Sequence, residues 1–145
     1  MTVKQISAFI ENEEGSLARF SDILWQNEVD MRALSIAEAG DFGIARIIVD
    51  DPYKTACVLK DAGYICTVTP VLALEIPDKP GGLGHILHIL GNSHINVEYT
   101  YAFLSRKKDV AYMILRVTDN EKAAEVLTKH KIKIVAEEDL LRASL

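Results

Sequence analysis

The sequence has few cysteines, one tryptophan and one basic cluster, and each shortage excludes a class of protein. Cys57 and Cys66 match no metal or redox spacing, which argues against a disulfide framework and favours reduced thiols in the cytoplasm. No apolar run has membrane length, and the N-terminus resembles no signal peptide. The net charge is −5, and residues 106–108 form a basic turn, so we expect neither nucleic acid nor a membrane as partner.

Catalytic and metal-binding motifs are also missing. No serine nucleophile elbow, phosphate-binding loop, H-E-x-x-H or C-x-x-C pattern occurs. His85 and His88 are three residues apart, but no carboxylate or cysteine at ligand spacing completes a tetrahedral set, which favours solvated helix residues. We therefore expect no metal, no cofactor and no enzymatic activity.

The positive signal is an internal repeat. A shift of 66 residues places 10–17 on 76–83, and a shift of 68 places Val49, Asp51 and Lys54 on Val117, Asp119 and Lys122. Such self-similarity indicates two copies of one small unit. We predict repeat 1 at 1–69 and repeat 2 at 70–145, rigidly coupled because no linker separates them.

Hydrophobic periodicity gives each copy the order β-α-β-β-α-β. The predicted strands are 3–10, 29–37, 43–49, 64–68, 71–76, 95–104, 109–117 and 132–135, and the predicted helices are 16–27, 52–62, 83–90 and 120–130, with a short helix in 136–145. Gly63 and Gly91 are the expected helix ends. The pattern predicts an α+β protein of two tandem ferredoxin-like units whose antiparallel sheets pack side by side.

The second face of these sheets is too apolar for an open surface. Strict alternation would place Ile95, Val97, Tyr99, Tyr101 and Phe103 on one face. An exposed face of this kind would be a large apolar patch, so we expect the partner copy or another chain to cover it. On this ground we also predict that the protein is a homodimer.

The loops between the first strand and first helix of each copy could bind a ligand. In repeat 2 this loop contains Asp78, Lys79, Pro80, Gly81, Gly82 and Leu83. Its glycines allow close approach to the helix start, whose free N–H groups favour a carboxylate, while Asp78 could meet an ammonium group. The loop chemistry fits a free amino acid or similar zwitterion, although a plain tight turn has the same composition.

Two tandem units of this kind, with a polar-x-Pro-Gly-x-Leu loop followed by Ile95-Asn96-Val97, resemble the ACT domain family of regulatory modules. The resemblance implies an effector site where two units meet, built from the loop of one unit and the second strand of its neighbour. The residues carried over are Asp78 to Leu83 and Asn96 in repeat 2, and Asn12, Gly15, Ser16, Leu17 and Asp30 in repeat 1.

The copies differ most in this loop and strand. Glu14 replaces the proline before Gly15, and Glu13, Glu14 and Asp30 would repel a carboxylate unless Arg19 or Arg32 offsets them. Either repeat 2 binds while repeat 1 is structural, or the two form unequal mixed sites. The leading hypothesis is a non-catalytic regulatory protein that binds a small amino acid; the alternative is a regulatory subunit of a separate amino-acid-metabolism enzyme with a degenerate site.

Overall fold

A computed structural model describes residues 1–105 and 107–143 of the chain. Arg106 of the expected basic turn, and Ser144 and Leu145 of the expected C-terminal helix, lie outside the described residues. The chain divides into two compact units, an N-terminal unit of residues 4–69 and a C-terminal unit of residues 70–145 together with residues 1–3.

The N-terminal unit follows the predicted order. Its elements are β1 (Val3–Glu11), α1 (Ser16–Gln26), β2 (Met31–Ala39), β3 (Phe42–Val49), α2 (Pro52–Asp61) and the start of β4 (Cys66–Pro77). Strand β3 pairs antiparallel with both β1 and β2. Asp51 caps α2, where its carboxylate accepts from the Lys54 N–H at 3.1 Å, and Pro52 occupies the first turn.

The C-terminal unit repeats this pattern. After β4 come α3 (Gly82–Asn92), β5 (Val97–Phe103), β6 (Val110–Val117), α4 (Asn120–Lys129), β7 (Lys133–Ile134) and α5 (Glu137–Ala143). Strand β6 pairs antiparallel with β4 and β5, and β7 pairs antiparallel with β4. The predicted α+β class, with two ferredoxin-like units and antiparallel strands, is confirmed.

Most predicted boundaries lie within two residues of the observed ones, but two expectations are wrong. The strands expected at 64–68 and 71–76 are one strand, β4, which continues through Pro70. Helix α3 passes through Gly91 and ends at Asn92, because the left-handed residue beyond it is His94, with φ 58°. In α1 the equivalent residue is Glu28, with φ 55°, so neither helix uses glycine there.

The expected alternation along the second strand of repeat 2 is also wrong. The pairing of β5 with β6 slips between Val97 and Tyr99, as at a β-bulge. Ile95 and Val97 therefore join the core cluster beneath the helices, whereas Tyr99 and the aromatic residues after it lie on the other sheet face. The same slip occurs in β2 between Met31 and Ala33.

The aromatic side chains on the sheet face opposite the helices differ in burial between the two units. In the C-terminal unit Tyr101, Phe103 and Tyr112 are buried within the chain itself, so these side chains need no second chain to cover them. In the N-terminal unit Phe9 and Phe42 lie on this face, 45% and 44% exposed, with ring centroids 5.7 Å apart. Of the two covers expected, another chain is therefore not required for the aromatic residues of repeat 2, and for repeat 1 the expected cover stays a prediction.

The helix-facing cores contain mostly aliphatic residues. Ile6, Ile47 and Leu59 are fully buried in the N-terminal unit, and Leu72, Leu115 and Leu127 in the C-terminal unit. Across the described part of the chain, no helix is both long enough and apolar enough to span a membrane. Both cysteines are free thiols, with Cys57 exposed and Cys66 buried.

Candidate functional site

The two predicted loops have nearly the same backbone geometry. Gly15 and Gly81 stand at the N-cap positions of α1 and α3 with φ of 80° and 85°, a left-handed conformation that favours glycine. Among the described residues, no side chain forms a capping hydrogen bond at either helix start. The first amide of each helix bonds back into the loop, Ser16 to the Glu13 carbonyl at 3.2 Å and Gly82 to the Lys79 carbonyl at 3.1 Å. The next amides of the turn have no partner within the helix, because helix geometry leaves the first N–H groups unpaired.

Each loop is also tied to the turn between the second and third strands. The Asn12 N–H donates to the Asp41 carbonyl at 2.9 Å, and its Nδ2 donates to the Gly40 carbonyl at 3.1 Å. In the second copy the Asp78 N–H donates to the Asp109 carbonyl at 3.1 Å. These bonds hold the loop beside the end of the second strand, and they occupy the amide of Asn12.

A cavity of about 250 Å³ opens beside the loop of the N-terminal unit. Its apolar lining comes from β1, α1 and β2, and three exposed glutamates, Glu11, Glu13 and Glu38, form its charged rim. The lining residues are Ile10, Glu11, Asn12, Glu13, Gly15, Leu17, Ala18, Ile36, Glu38 and Gly43. An apolar pocket with a few convergent polar groups is the usual form of a small-molecule site.

Of the residues predicted in repeat 1, Asn12, Gly15 and Leu17 line this cavity, and Ser16 is buried in the first turn of α1. Sequence reasoning missed Ile10, Glu11, Ala18, Ile36, Glu38 and Gly43, and it considered Glu13 only as a charge that would repel a carboxylate. The pairing of β1 with β3 and of β3 with β2 brings the end of β2 beside the loop. This proximity depends on the strand register, which the sequence pattern does not specify.

A second cavity of about 390 Å³ lies between α1 and the segment that follows α2. Glu11 borders this cavity too, together with Phe9, Arg19, Ile23, Ala62, Gly63 and Tyr64. The side chain of Tyr64, and more weakly the carboxylates of Glu11 and Glu13, raise the pKa of Arg19. Arg19 therefore interacts with both acids, but it does not line the first cavity.

The predicted second-strand residues lie at the other end of each unit. Asp30 precedes Met31, which pairs with Val49, whereas the loop follows Glu11, which pairs with Phe42 at the opposite end of β3. Asp30 forms an ion pair with Arg32 at 3.0 Å, and its carbonyl accepts from the Asp50 N–H at 3.1 Å. Asn96 is exposed, and its carbonyl accepts from the Thr118 N–H at 3.3 Å. Neither residue meets the loop of its own unit.

The loop of the C-terminal unit leaves no space at one of its glycines. Asp78, Lys79, Pro80 and Gly81 are exposed, and Leu83 is half-buried. Gly82 is buried, and a Cβ added there would lie 2.4 Å from the Pro77 carbonyl oxygen. Gly82 is thus required for packing of the loop.

The histidines of α3, His85 and His88, are exposed. Within residues 1–105 and 107–143, no group of three or more histidine, cysteine, aspartate or glutamate side chains is placed to hold a metal ion.

Comparison with known proteins defines the class. The family model for the ACT domain pair matches residues 1–144, so this chain belongs to the ACT domain pair family. The resemblance inferred from the loop and strand motifs is confirmed. No curated protein matches the chain.

Solved structures share the fold. A crystal structure of a protein from Bacteroides thetaiotaomicron is 36% identical over 97% of this chain and 96% of its own, with a TM-score of 0.89. The ligand-free regulatory subunit of aspartate kinase from Thermus thermophilus is 14% identical, over 87% of this chain and 90% of its own, with a TM-score of 0.64. At that identity the second likeness concerns the fold alone.

Proposed function

We propose that this chain is a non-catalytic regulatory protein that binds a small amino acid through the loop at the start of α1. The observation that carries the proposal is the cavity beside this loop, in a member of the ACT domain pair family. Uncapped amides at the start of α1 suit the ligand carboxylate, and the rim carboxylates suit its ammonium group. Ile36 and Leu17 offer an apolar surface to its side chain.

Regulation would follow from preferential binding to one arrangement of ACT units. A ligand shifts a two-state equilibrium only by its differential affinity for the two states. The ACT resemblance implies that the effector completes its site at a neighbouring unit, and the regulated enzyme is then a separate chain. We also propose a cytoplasmic homodimer, since both thiols are free and Phe9 and Phe42 form an exposed aromatic pair.

The proposal is tested by thermal unfolding of the full chain with each free amino acid. An amino acid that binds only the folded chain raises the melting temperature in a saturable way. Ala18→Leu fills the cavity from the exposed side of α1 and should abolish the rise. Gln26→Leu is the matched control, because it adds a leucine at an exposed site of the same helix outside the cavity.

A chain whose melting temperature responds to no amino acid, and which copurifies with an enzyme, would instead be a permanent regulatory subunit with a degenerate site. A response that Ala18→Leu leaves unchanged would place the ligand elsewhere in the chain.

A further inference from the structure

We propose that the cavity of the N-terminal unit recognises its ligand by an ammonium group on a compact branched apolar body, and that the equivalent loop of the C-terminal unit does not. The inference rests on the proposed function and deepens it, because it names the ligand chemistry of the same site and the copy that uses it.

The two copies can be compared position by position. Gly15 and Gly81 are equivalent, and the pairing of Ile10 with Gly43 matches that of Ile76 with Ala111. Three glutamates line the cavity, and two of them, Glu11 and Glu13, belong to the loop region. The equivalent residues in the second copy are Pro77 and Lys79.

The third acid is placed by strand register. Ala37 pairs with Ile44 as Phe103 pairs with Tyr112, so the next residues, Glu38 and Leu104, are equivalent. Every acid of the first cavity is thus replaced in the second copy by proline, lysine or leucine.

The charges on the rim decide which group the cavity accepts. Glu11, Glu13 and Glu38 line it, and among the described residues no lysine or arginine does. Three glutamates beside a small apolar space attract a cation and repel an anion, and because their side chains are exposed, salt screens the attraction. Arg19 offsets part of this charge, because Glu11 and Glu13 both raise its pKa, but Arg19 does not line the first cavity.

The floor of the cavity selects the rest of the ligand. Ile10, Leu17, Ala18 and Ile36 present aliphatic surface. A branched chain of a few carbons fits a space of about 250 Å³, whereas a guanidinium or a second carboxylate would be buried against aliphatic carbon. Leucine and 3-methylbutylamine share the required body and ammonium group, and 4-methylpentanoate has the same body with the opposite charge.

Unequal copies also predict the stoichiometry. If the acids select the ammonium group, one ligand binds per chain, at the N-terminal unit, because Pro77, Lys79 and Leu104 stand in place of the three acids in the second copy. Equal occupancy of both copies would overturn the inference.

The test follows methyl resonances of the full chain by NMR during titration with the three probes. Leu17 and Ile36 report on the cavity, and Leu83 reports on the loop of the second copy. We expect 3-methylbutylamine and leucine to shift the Leu17 and Ile36 methyl signals in a saturable way, and 4-methylpentanoate to leave them unchanged. Raising the salt concentration should weaken binding of the amine.

Charge variants locate the interaction. Glu13→Gln and Glu38→Gln should each weaken binding of the amine by about fivefold, as expected for loss of one partly exposed ion pair. Glu14→Gln is the control, because Glu14 is exposed and does not line the cavity. Equal binding of the amine and the acid, or full affinity in Glu13→Gln and Glu38→Gln, would overturn the proposal.

The inference and the proposed function fail in different ways. An amino acid that raises the melting temperature but shifts only Leu83 would refute the ammonium site and the placement at the loop of α1, and it would leave amino-acid binding by the chain intact. Binding of 3-methylbutylamine at Leu17 and Ile36 with no response to any amino acid would support the ammonium site and refute the proposed function.

Discussion

The carboxylate of Glu75 lies 2.9 Å, Oε2 to Nζ, from the ammonium group of Lys133, its cross-strand neighbour in β7. Its other oxygen accepts a hydrogen bond from Nζ of Lys107 at 3.0 Å. The Glu75 side chain is 15% exposed, whereas both lysines are more than half exposed. One shielded acid in β4 therefore connects the turn before β6 with the strand that follows α4.

The Lys133 contact holds the pKa of Glu75 below its ordinary value; burial opposes it, and Lys107 adds to it. A lowered carboxylate pKa stabilises the fold fully above the ordinary value of about 4.3, and that stability is lost as pH falls through the lowered value. Glu75→Gln should reduce the free energy of unfolding at neutral pH by about 1 to 2 kcal/mol. Urea unfolding between pH 3 and 7 should show a weaker acid dependence in this variant than in the wild type.

A control for this prediction lies on α4. Glu125 and Lys129 form an exposed ion pair at 3.2 Å. Glu125→Gln makes the same chemical change at the surface, so it should alter the free energy of unfolding by less than about 0.5 kcal/mol. Similar losses in both variants would contradict a special role for Glu75.

The loop of the C-terminal unit offers a second matched pair. Repeat 1 has Ser16 and Ala18 where repeat 2 has Gly82 and Gly84. Gly82→Ser would force a Cβ against the Pro77 carbonyl oxygen, so it should destabilise the fold by at least about 2 kcal/mol. At Gly84 nothing lies within 4 Å of an added Cβ, and Gly84→Ala should stabilise the helix by up to about 1 kcal/mol.

The two substitutions, only two residues apart, should change the free energy of unfolding in opposite directions, which tests the loop geometry directly. Urea unfolding of the full chain measures both. A Gly82→Ser variant as stable as the wild type would mean that the Pro77 carbonyl is not held against the helix start.

The order of helices and strands could be predicted because the two repeats show the same hydrophobic pattern and could be compared with each other. Asp51 and Asp119 both cap helices, as their acceptor bonds to Lys54 and Lys122 show. The β-bulges could not be predicted, since a residue added to one strand changes which face its neighbours occupy without changing composition. The faces of Ile95 and Val97 were therefore mistaken.

The candidate site could be predicted in part. Loop residues such as Asn12 and Gly15 follow from local turn chemistry, which a short stretch of sequence contains. Glu38 and Gly43 reach the cavity through the register of β1, β3 and β2, which is a long-range property. Chain order alone therefore could not connect them to the loop.

The two thiols should differ sharply in reactivity. Cys57 is exposed on α2, while Cys66 is buried and lies 3.9 Å, Sγ to carbonyl oxygen, from Ala56. Burial raises the pKa of Cys66, and fewer thiolates form at a given pH. Iodoacetamide at pH 8 should label Cys57 at least about tenfold faster than Cys66.

Intact mass measures the labelling. The native chain should gain one label quickly and Cys57→Ser almost none, while urea should expose the second thiol in both. Rapid double labelling of the native chain would contradict the burial of Cys66.

The exposed aromatic pair of the N-terminal unit tests the proposed homodimer. Phe9 and Phe42 pack edge to face on the sheet surface opposite the helices, and each is nearly half exposed. Aromatic residues of this kind are enriched in protein interfaces, and a buried unpaired charge there is costly. Phe42→Asp should therefore convert a dimer to a monomer in light scattering. Tyr53→Asp is the control, because Tyr53 is exposed on α2 and should leave the dimer intact. A wild-type chain that scatters as a monomer, or a Phe42→Asp chain that stays dimeric, would exclude this surface as the interface.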